Sequence, residues 1–392
     1  MSEPVCPNGA NKLKTISTIV IIGFTLSVIF HYILANYCGL ERYFYRTFLF
    51  DPADRFNDFY NIYRATGNLD PYSAPVSVYF PLTFIVMYLF TLFNEHFAFA
   101  LFLALFGGYF VWYIFRNMPT VPISDRWMSV FVLTFMSYPV LFNFDRGNVE
   151  AFVFICITLF IYFHRKGQDL PGVLFLSLAI AMKLYPGVFV VLYLAERKYR
   201  NIIVTACTTA VISLASAAML NGGILHSLEG LRRNLAGFNT TYLITKEGLQ
   251  HNSSLYGVIR MIAKPLPQVQ PFIDHYTVIA LAFFVLVAAY IVLKEDILWK
   301  KVALLVFSMI LLPQVSFDYK LIHLFVPTML FINTGHSSRF TRVFAVMFGL
   351  MLIPKDYIQL GHAISIAVLL NPLLMVGIAV LILLERFERS PR

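Results

Sequence analysis

The chain has 392 residues, of which 59% are hydrophobic and only 13% charged, with a mean hydropathy of +0.72. Soluble globular chains carry about 25% charged residues, so the composition excludes a water-soluble globule, a disordered chain and a coiled coil. The net charge of +9 comes from basic residues scattered between apolar runs, which is the bias of cytoplasmic membrane loops and not a nucleic-acid footprint.

A spanning helix needs about 17 to 25 mostly apolar residues. Residues 15–35 meet that length, and no small-x-small site follows, so the segment reads as a first span and not a cleaved signal. Further candidates are 97–115, 127–143, 149–164, 201–220, 276–293, 299–313, 320–333, 340–353 and 362–384. The runs 171–182 and 184–195 are each too short alone. Lys183-Leu184-Tyr185-Pro186 lies at their junction. Proline and a buried lysine break a helix there, so two short helices meet inside the protein and the chain returns to its starting side.

The run 78–94 has the look of a span, but its parity argues against crossing. If it stays on the outer face and the N-terminus is cytoplasmic, more than half of the 30 basic residues fall inside. They include Lys12, Lys14, Arg165, Lys166, Arg197, Lys198, Lys300 and Lys301. The positive-inside rule favours that choice, so 78–94 reads as an interfacial or re-entrant helix. The expectation is an all-α polytopic transmembrane bundle, one membrane domain over 1–392, with about twelve spans. Both termini are cytoplasmic and two long outer loops cover 36–96 and 221–275. Cys6, Cys38, Cys156 and Cys207 are too widely spaced for a metal or disulfide framework. No Walker loop, nucleophile elbow or HExxH occurs, which argues against an ATP-driven pump and a zinc protease.

The residues able to do chemistry gather on the outer side. The first outer loop holds Asp51, Asp54, Asp58 and Asp70 among Arg42, Arg46, Arg55 and Arg64, with Asp58, Tyr60 and Tyr63 on a short helical stretch. A carboxylate flanked by arginines and tyrosines suits a general base beside an anion site, where the plainer alternative is a solvated loop of surface ion pairs. Residues 143–150, NFDRGNVE, crowd polar groups into a turn that is either a helix cap or, through Arg146, a phosphate holder. Lys183 lies between two apolar half-helices, and charge at membrane depth is a functional hypothesis unless it snorkels to the interface. The second outer loop offers Gln250, His251, Asn252 and Ser254 before LYGVIRMIAKPL, an amphipathic stretch. Asn239-Thr240-Thr241 and Asn252-Ser253-Ser254 match glycosylation sequons weakly. Residues 316–323, SFDYKLIH, bring Asp318, Tyr319, Lys320 and His323 to the outer end of a span.

The order DFYNIYRATGNLDPYSAP, YFPLTF, DRGNVEAFVF, MKLYPGVF, HNSSLYGVIR and VSFDYKLIHLFVP over residues 56–327 resembles the GT-C polyprenyl-phosphate-sugar glycosyltransferases. It is most similar to glycosyltransferase family 87, the group with the mycobacterial polyprenyl-phosphate-mannose-dependent mannosyltransferases. The resemblance implies an inverting transfer of a single sugar, mannose first among them, from a polyprenyl-phosphate donor to a hydroxyl of a lipid- or glycan-linked acceptor. Asp58 would be the general base. Lys183, Arg146 and Lys320 would bind the donor phosphate, and Tyr63, Tyr79, Asn148, Glu150, Tyr185, Asn252, Ser254, Tyr319 and His323 would contact substrate. Where this chain has Tyr319-Lys320 the family often carries a histidine pair. Asp58 and Glu150 are the pair a divalent metal would use in some relatives; no tight ligand cluster is visible, and the expectation is no metal and no other cofactor. The implied setting is a bacterial inner membrane with the site facing the periplasm. Two other readings share the long loops or the many helices: an undecaprenyl-diphosphate-linked polymerase or ligase, and a lipid or sugar transporter.

Overall fold

The computed structural model describes residues 9–37, 56–73, 78–118, 121–238, 248–249, 251–263, 270–355 and 364–389. Asp51, Asp54, Arg42, Arg46, Arg55, Gln250 and the sequon at Asn239 lie outside these residues. The described chain is helical, without strands; one isolated bridge joins Asn252 to Phe317. In chain order the helices are α1 (Gly9–Tyr37), α2 (Asn57–Thr66), α3 (Pro81–Thr91), α4 (Glu95–Arg116), α5 (Ile123–Phe135), α6 (Tyr138–Arg146), α7 (Glu150–Arg165) and α8 (Asp169–Met182). A 3₁₀ turn (Tyr185–Phe189) leads into α9 (Val190–Ala195), followed by α10 (Tyr199–Met219), α11 (Gly223–Phe238), α12 (Leu255–Ala263), α13 (Gln270–Asp274), α14 (Tyr276–Leu293) and α15 (Leu298–Leu311). Another 3₁₀ turn (Asp318–Leu324) opens α16 (Phe325–Asn333), and α17 (Thr341–Leu352) and α18 (Ala367–Arg389) complete the bundle.

Among the described residues the candidate runs are all helical, but they serve two different purposes. Five helices, α1, α4, α10, α14 and α18, are long and apolar enough to cross a membrane, or six if α5 and α6, bent by 50°, act as one span. About twelve spans are therefore not supported on length and apolarity among the described residues. The shorter apolar helices owe their composition to protein neighbours. In α15, 12 of 14 residues are buried, from Trp299 to Leu311, whereas the 18-residue α14 buries only Tyr276 and Ile291. A helix apolar all round can be a core helix as readily as a lipid-facing one, and sequence alone does not separate the two. One contiguous hydrophobic cluster runs through the short helices, with Phe154, Phe160, Leu305, Phe307, Phe325 and Phe348 among its buried members.

Local chemistry sets the breaks that make the site. Pro81 occupies the first turn of α3, where its missing N–H costs nothing. The helix stops after 11 residues, too short to cross, and Thr83 donates to the carbonyl of Met182 at 3.1 Å, fixing α3 against the end of α8. Asn94 caps α4 by accepting from the Phe97 N–H at 3.0 Å. Lys183 leaves α8 in extended backbone (φ −151°, ψ 134°), and Pro186 follows in the 3₁₀ turn. The half-helices thus meet inside the protein, as their sequence implied. At the opposite end of the bundle Lys12 closes α16 by donating to the carbonyls of Phe331 and Thr334. There Glu385 of α18 receives Lys300 at 3.0 Å and His336 at 2.8 Å.

Candidate active site

Gly147 is the pivot of the site. It ends α6 in the left-handed region (φ 60°), and a Cβ there would stand 2.7 Å from the Cβ of Phe59, so only glycine fits. The turn aims Arg146 on one side and Asn148 on the other at α2. The N–H of Phe56 donates to the carbonyl of Asp145 at 2.8 Å, which docks the start of α2 onto the same turn. Asp58, in the first turn of α2, then accepts from Arg146 at 2.7 Å and from Asn148 at 2.6 Å, one bond to each carboxylate oxygen. Both Asp58 and Arg146 keep 19% of their side chains exposed, so the carboxylate is held but reachable.

Asn148 joins Asp58 to a second carboxylate. Its Oδ1 accepts from the Glu150 N–H at 3.0 Å and from Lys183 at 3.3 Å, while its Nδ2 also reaches the Tyr79 hydroxyl at 3.3 Å. Two donors on one side and a carboxylate on the other fix which way the amide faces. Glu150 is fully buried. It accepts from Lys183 at 2.6 Å, from His323 Nε2 at 2.5 Å and from the Tyr185 hydroxyl. Aromatic faces complete the walls: Lys183 Nζ lies 5.3 Å from the Tyr79 ring and 4.8 Å from the Tyr319 ring, and Lys320 Nζ lies 4.3 Å from the Tyr185 ring.

Ten of the thirteen side chains singled out from the sequence therefore share one cluster: Asp58, Tyr79, Arg146, Asn148, Glu150, Lys183, Tyr185, Tyr319, Lys320 and His323. The other three are occupied elsewhere. Tyr63 donates to the Phe93 carbonyl at 2.6 Å, at the loop before α4. Asn252 donates to the carbonyls of Gly248 and Gln314 and accepts from the N–H groups of Ser254 and Ser316, and Ser254 donates to the Gln314 carbonyl. These two hold a turn of the second long loop against residues 314–316.

That turn belongs to a polar node the sequence did not disclose. Asp318 is buried and forms no ion pair with Lys320. It accepts from Tyr138 at 2.9 Å and from Ser253 at 2.6 Å, and Ser253 in turn accepts from Asn371 at 3.2 Å. Asn143 donates to the Tyr319 carbonyl at 2.7 Å. The node lies directly behind Tyr319 and Lys320 and fixes the backbone that carries them. Its one legible signal was an aspartate beside an apolar run; its partners are up to 180 residues away in sequence.

Among the described residues the cluster contains three basic side chains, Arg146, Lys183 and Lys320, against two carboxylates, Asp58 and Glu150. Arg146 and Lys183 are each paired, and Lys320, 6% exposed, meets a ring face and no carboxylate. With Lys320 protonated and His323 neutral, one positive charge is left over. No group of three or more potential metal ligands occurs among the described residues.

An apolar helical bundle with a dense acid–base cluster at one end is the form of a membrane-embedded enzyme. A profile of glycosyltransferase family 87 matches residues 78–316, more than half of the chain, and the chain belongs to that family and is a glycosyltransferase. The match covers Tyr79, Arg146, Asn148, Glu150, Lys183 and Tyr185; Asp58, Lys320 and His323 flank it. Neither a curated protein nor a solved structure matches the chain.

Proposed function

We propose that the protein is an inverting glycosyltransferase that moves one sugar, mannose being the first to test, from a polyprenyl-phosphate donor to a hydroxyl of a glycolipid or glycan acceptor. The reaction takes place on the extracytoplasmic face of a bacterial inner membrane. The observation that carries this reading is the charge of the cluster. A sugar joined to a lipid through one phosphate is a phosphodiester with a single negative charge. Bound beside Lys320, which faces no carboxylate among the described residues, that charge would hold the lysine protonated and balance it.

Asp58 supplies the base. Each of its oxygens uses one acceptor site on Arg146 or Asn148 and keeps another for the acceptor hydroxyl. As the acceptor oxygen forms its bond to the anomeric carbon, Asp58 takes the hydroxyl proton and the bond from that carbon to the phosphate oxygen breaks. Attack opposite the leaving phosphate inverts the configuration. The departing polyprenyl phosphate gains a second negative charge, which Lys320, Lys183 and Arg146 stabilise in a site with little water. Both carboxylates already face cations, which supports a reaction without a divalent metal. A diphosphate-linked donor would bring one more negative charge, and Arg42, Arg46 and Arg55 of the first loop, which could meet it, lie outside the described residues.

The test uses purified protein with polyprenyl-phosphate donors of mannose, glucose, galactose and arabinose and a lipid extract as acceptor source. Wild type is expected to turn over one donor. Asp58→Asn should lose about 10²- to 10⁴-fold in rate, the usual worth of a general base, with donor binding retained. Full activity in Asp58→Asn would remove Asp58 from the mechanism.

A further inference from the structure

Beside the polar cluster the bundle holds a cavity of about 240 Å³, placed where the Tyr185 turn, the first half of α14 and the end of α15 come together. Tyr185, Ala280, Phe284, Ser308, Met309 and Pro313 are in its wall. The Ser308 hydroxyl is turned away to the Leu304 carbonyl at 2.8 Å, so the wall offers carbon almost throughout. Leu281 also lines the cavity and is 63% exposed, which brings the opening to the outer surface of the bundle on its least buried helix.

Tyr185 connects this cavity to the cluster. Its hydroxyl donates to Glu150, and one ring face lies under Lys320 Nζ. A single aromatic ring thus joins a lysine that has no carboxylate partner among the described residues to an apolar slot that opens toward lipid. Such a juxtaposition fits an amphiphile with one anionic group and a hydrocarbon chain starting directly behind it.

We propose that the cavity seats the first isoprene units of the donor's carrier lipid, with the donor phosphate at Lys320. This rests on the polyprenyl-phosphate reading above and adds the place of the chain. The remaining units run along the exposed apolar face of α14, where Leu281, Val285 and Leu286 are uncovered. The room in the wall comes from two small side chains, Ala280 and Ser308. Because α14 is scarcely buried, a bulky residue at position 280 fills the slot without disturbing the core.

The experiment has two arms. In the first, wild type, Ala280→Trp and the control Ile203→Trp, at an exposed site on α10 away from the cavity, are compared on a long-chain polyprenyl phosphosugar and on the same sugar phosphate carrying a short ten-carbon isoprenoid that stays in detergent. Ala280→Trp should lower kcat/KM for the long donor by about tenfold or more, since several buried methylenes lose their contacts, and change the short donor far less. Ile203→Trp should affect neither, and all three proteins should melt alike. In the second arm a polyprenyl phosphate with a photoreactive diazirine in its second isoprene unit is crosslinked to wild type and the labelled peptide mapped. Label on Leu281, Phe284 or Met309, removed by excess unlabelled polyprenyl phosphate, supports the proposal. Label elsewhere, or an equal loss on both donors, overturns it. Wild type that transfers from neither donor sinks the donor reading, while the crosslink, which needs no turnover, still decides the cavity.

Discussion

Asp58 and Glu150 show how two carboxylates in one site take different parts. Asp58 keeps 19% of its side chain exposed and has an acceptor site open on each oxygen; Glu150 is sealed, with three donors on it. Glu150 therefore sets positions and balances charge. Removing its charge leaves Lys183 without its counter-ion. Glu150→Gln is expected to cost about 3 kcal/mol or more in unfolding free energy, read by denaturation in detergent. Glu150→Gln/Lys183→Met removes the orphaned charge and should recover part of that loss; a double variant no more stable than the single one would contradict the pairing. Lys320 makes the complementary case. It has no carboxylate to lose, so Lys320→Ala should leave the melting temperature nearly unchanged. It should raise the donor KM by about ten- to a hundredfold, as expected for a hydrogen bond to a charged group. Most of these residues were legible in the sequence, because charge or amide groups bordering long apolar runs have few structural excuses. Asn252 and Ser254 were legible only as polar. Whether a polar side chain faces substrate or holds its own backbone depends on which carbonyl stands opposite, and Gln314 is about 60 residues away.

At the scale of elements, short breaks between helices create the site, and the α6–α7 turn is the most constrained of them. Gly147→Ala forces a left-handed residue to carry a Cβ, which costs about 1–2 kcal/mol, and drives that atom against Phe59. The variant should melt lower and lose more activity than its stability loss explains, because Arg146 and Asn148 move with the turn. Equal activity per folded molecule would separate the turn from the site. The opposite end of α8 behaves differently. Lys198 lies 2.8 Å from Asp169 and 3.1 Å from Glu196, tying the α8 start to the loop after α9. The hydrogen bond from Lys198 holds the Asp169 carboxyl below its usual range, and the same bond raises Lys198. A depressed carboxylate stabilises the fold at pH above the ordinary carboxylate range, and that contribution fades as pH falls through the folded value. Melting curves from pH 7 down to about 3 should therefore show a small acid slope that Asp169→Asn lacks. Both side chains are partly solvated, at 43% and 31% exposure, so the difference at neutral pH should be within about 1 kcal/mol. A larger loss would show that the contact does more than bridge two surface groups.

Across the whole molecule, charge is segregated. The Asp58–Glu150 cluster lies at one end, where α6 meets α7 and α8 meets the Tyr185 turn, and the Lys300–Glu385–His336 group lies at the other. The arrangement agrees with the basic loops being cytoplasmic, and it can be checked directly. In a variant with the native cysteines replaced, Glu229→Cys on α11 should react with a membrane-impermeant maleimide in intact cells. Lys166→Cys, after α7, should react only after permeabilisation. The reverse pattern would invert the topology and place the cluster in the cytoplasm, out of reach of an extracytoplasmic acceptor.

The sequence by itself determined that the chain is a helical membrane protein, that the chain breaks at Lys183–Pro186, and which residues near the helix ends could carry chemistry; the 50° bend inside 127–143 was not legible in it. Composition, run length, proline and glycine are local properties, and the physics they report is local. Tertiary structure alone decided the rest. It showed which apolar helices face protein and which can face lipid, since burial depends on neighbours that a run of leucines and phenylalanines does not name. It paired Asp58 with Arg146 and Glu150 with Lys183, leaving Lys320 as the cation without a carboxylate. It also set an apolar cavity against Tyr185 from three segments far apart in the chain. Net charge in a site and the shape of a cavity are sums over residues brought together by packing, and no single stretch of sequence contains them.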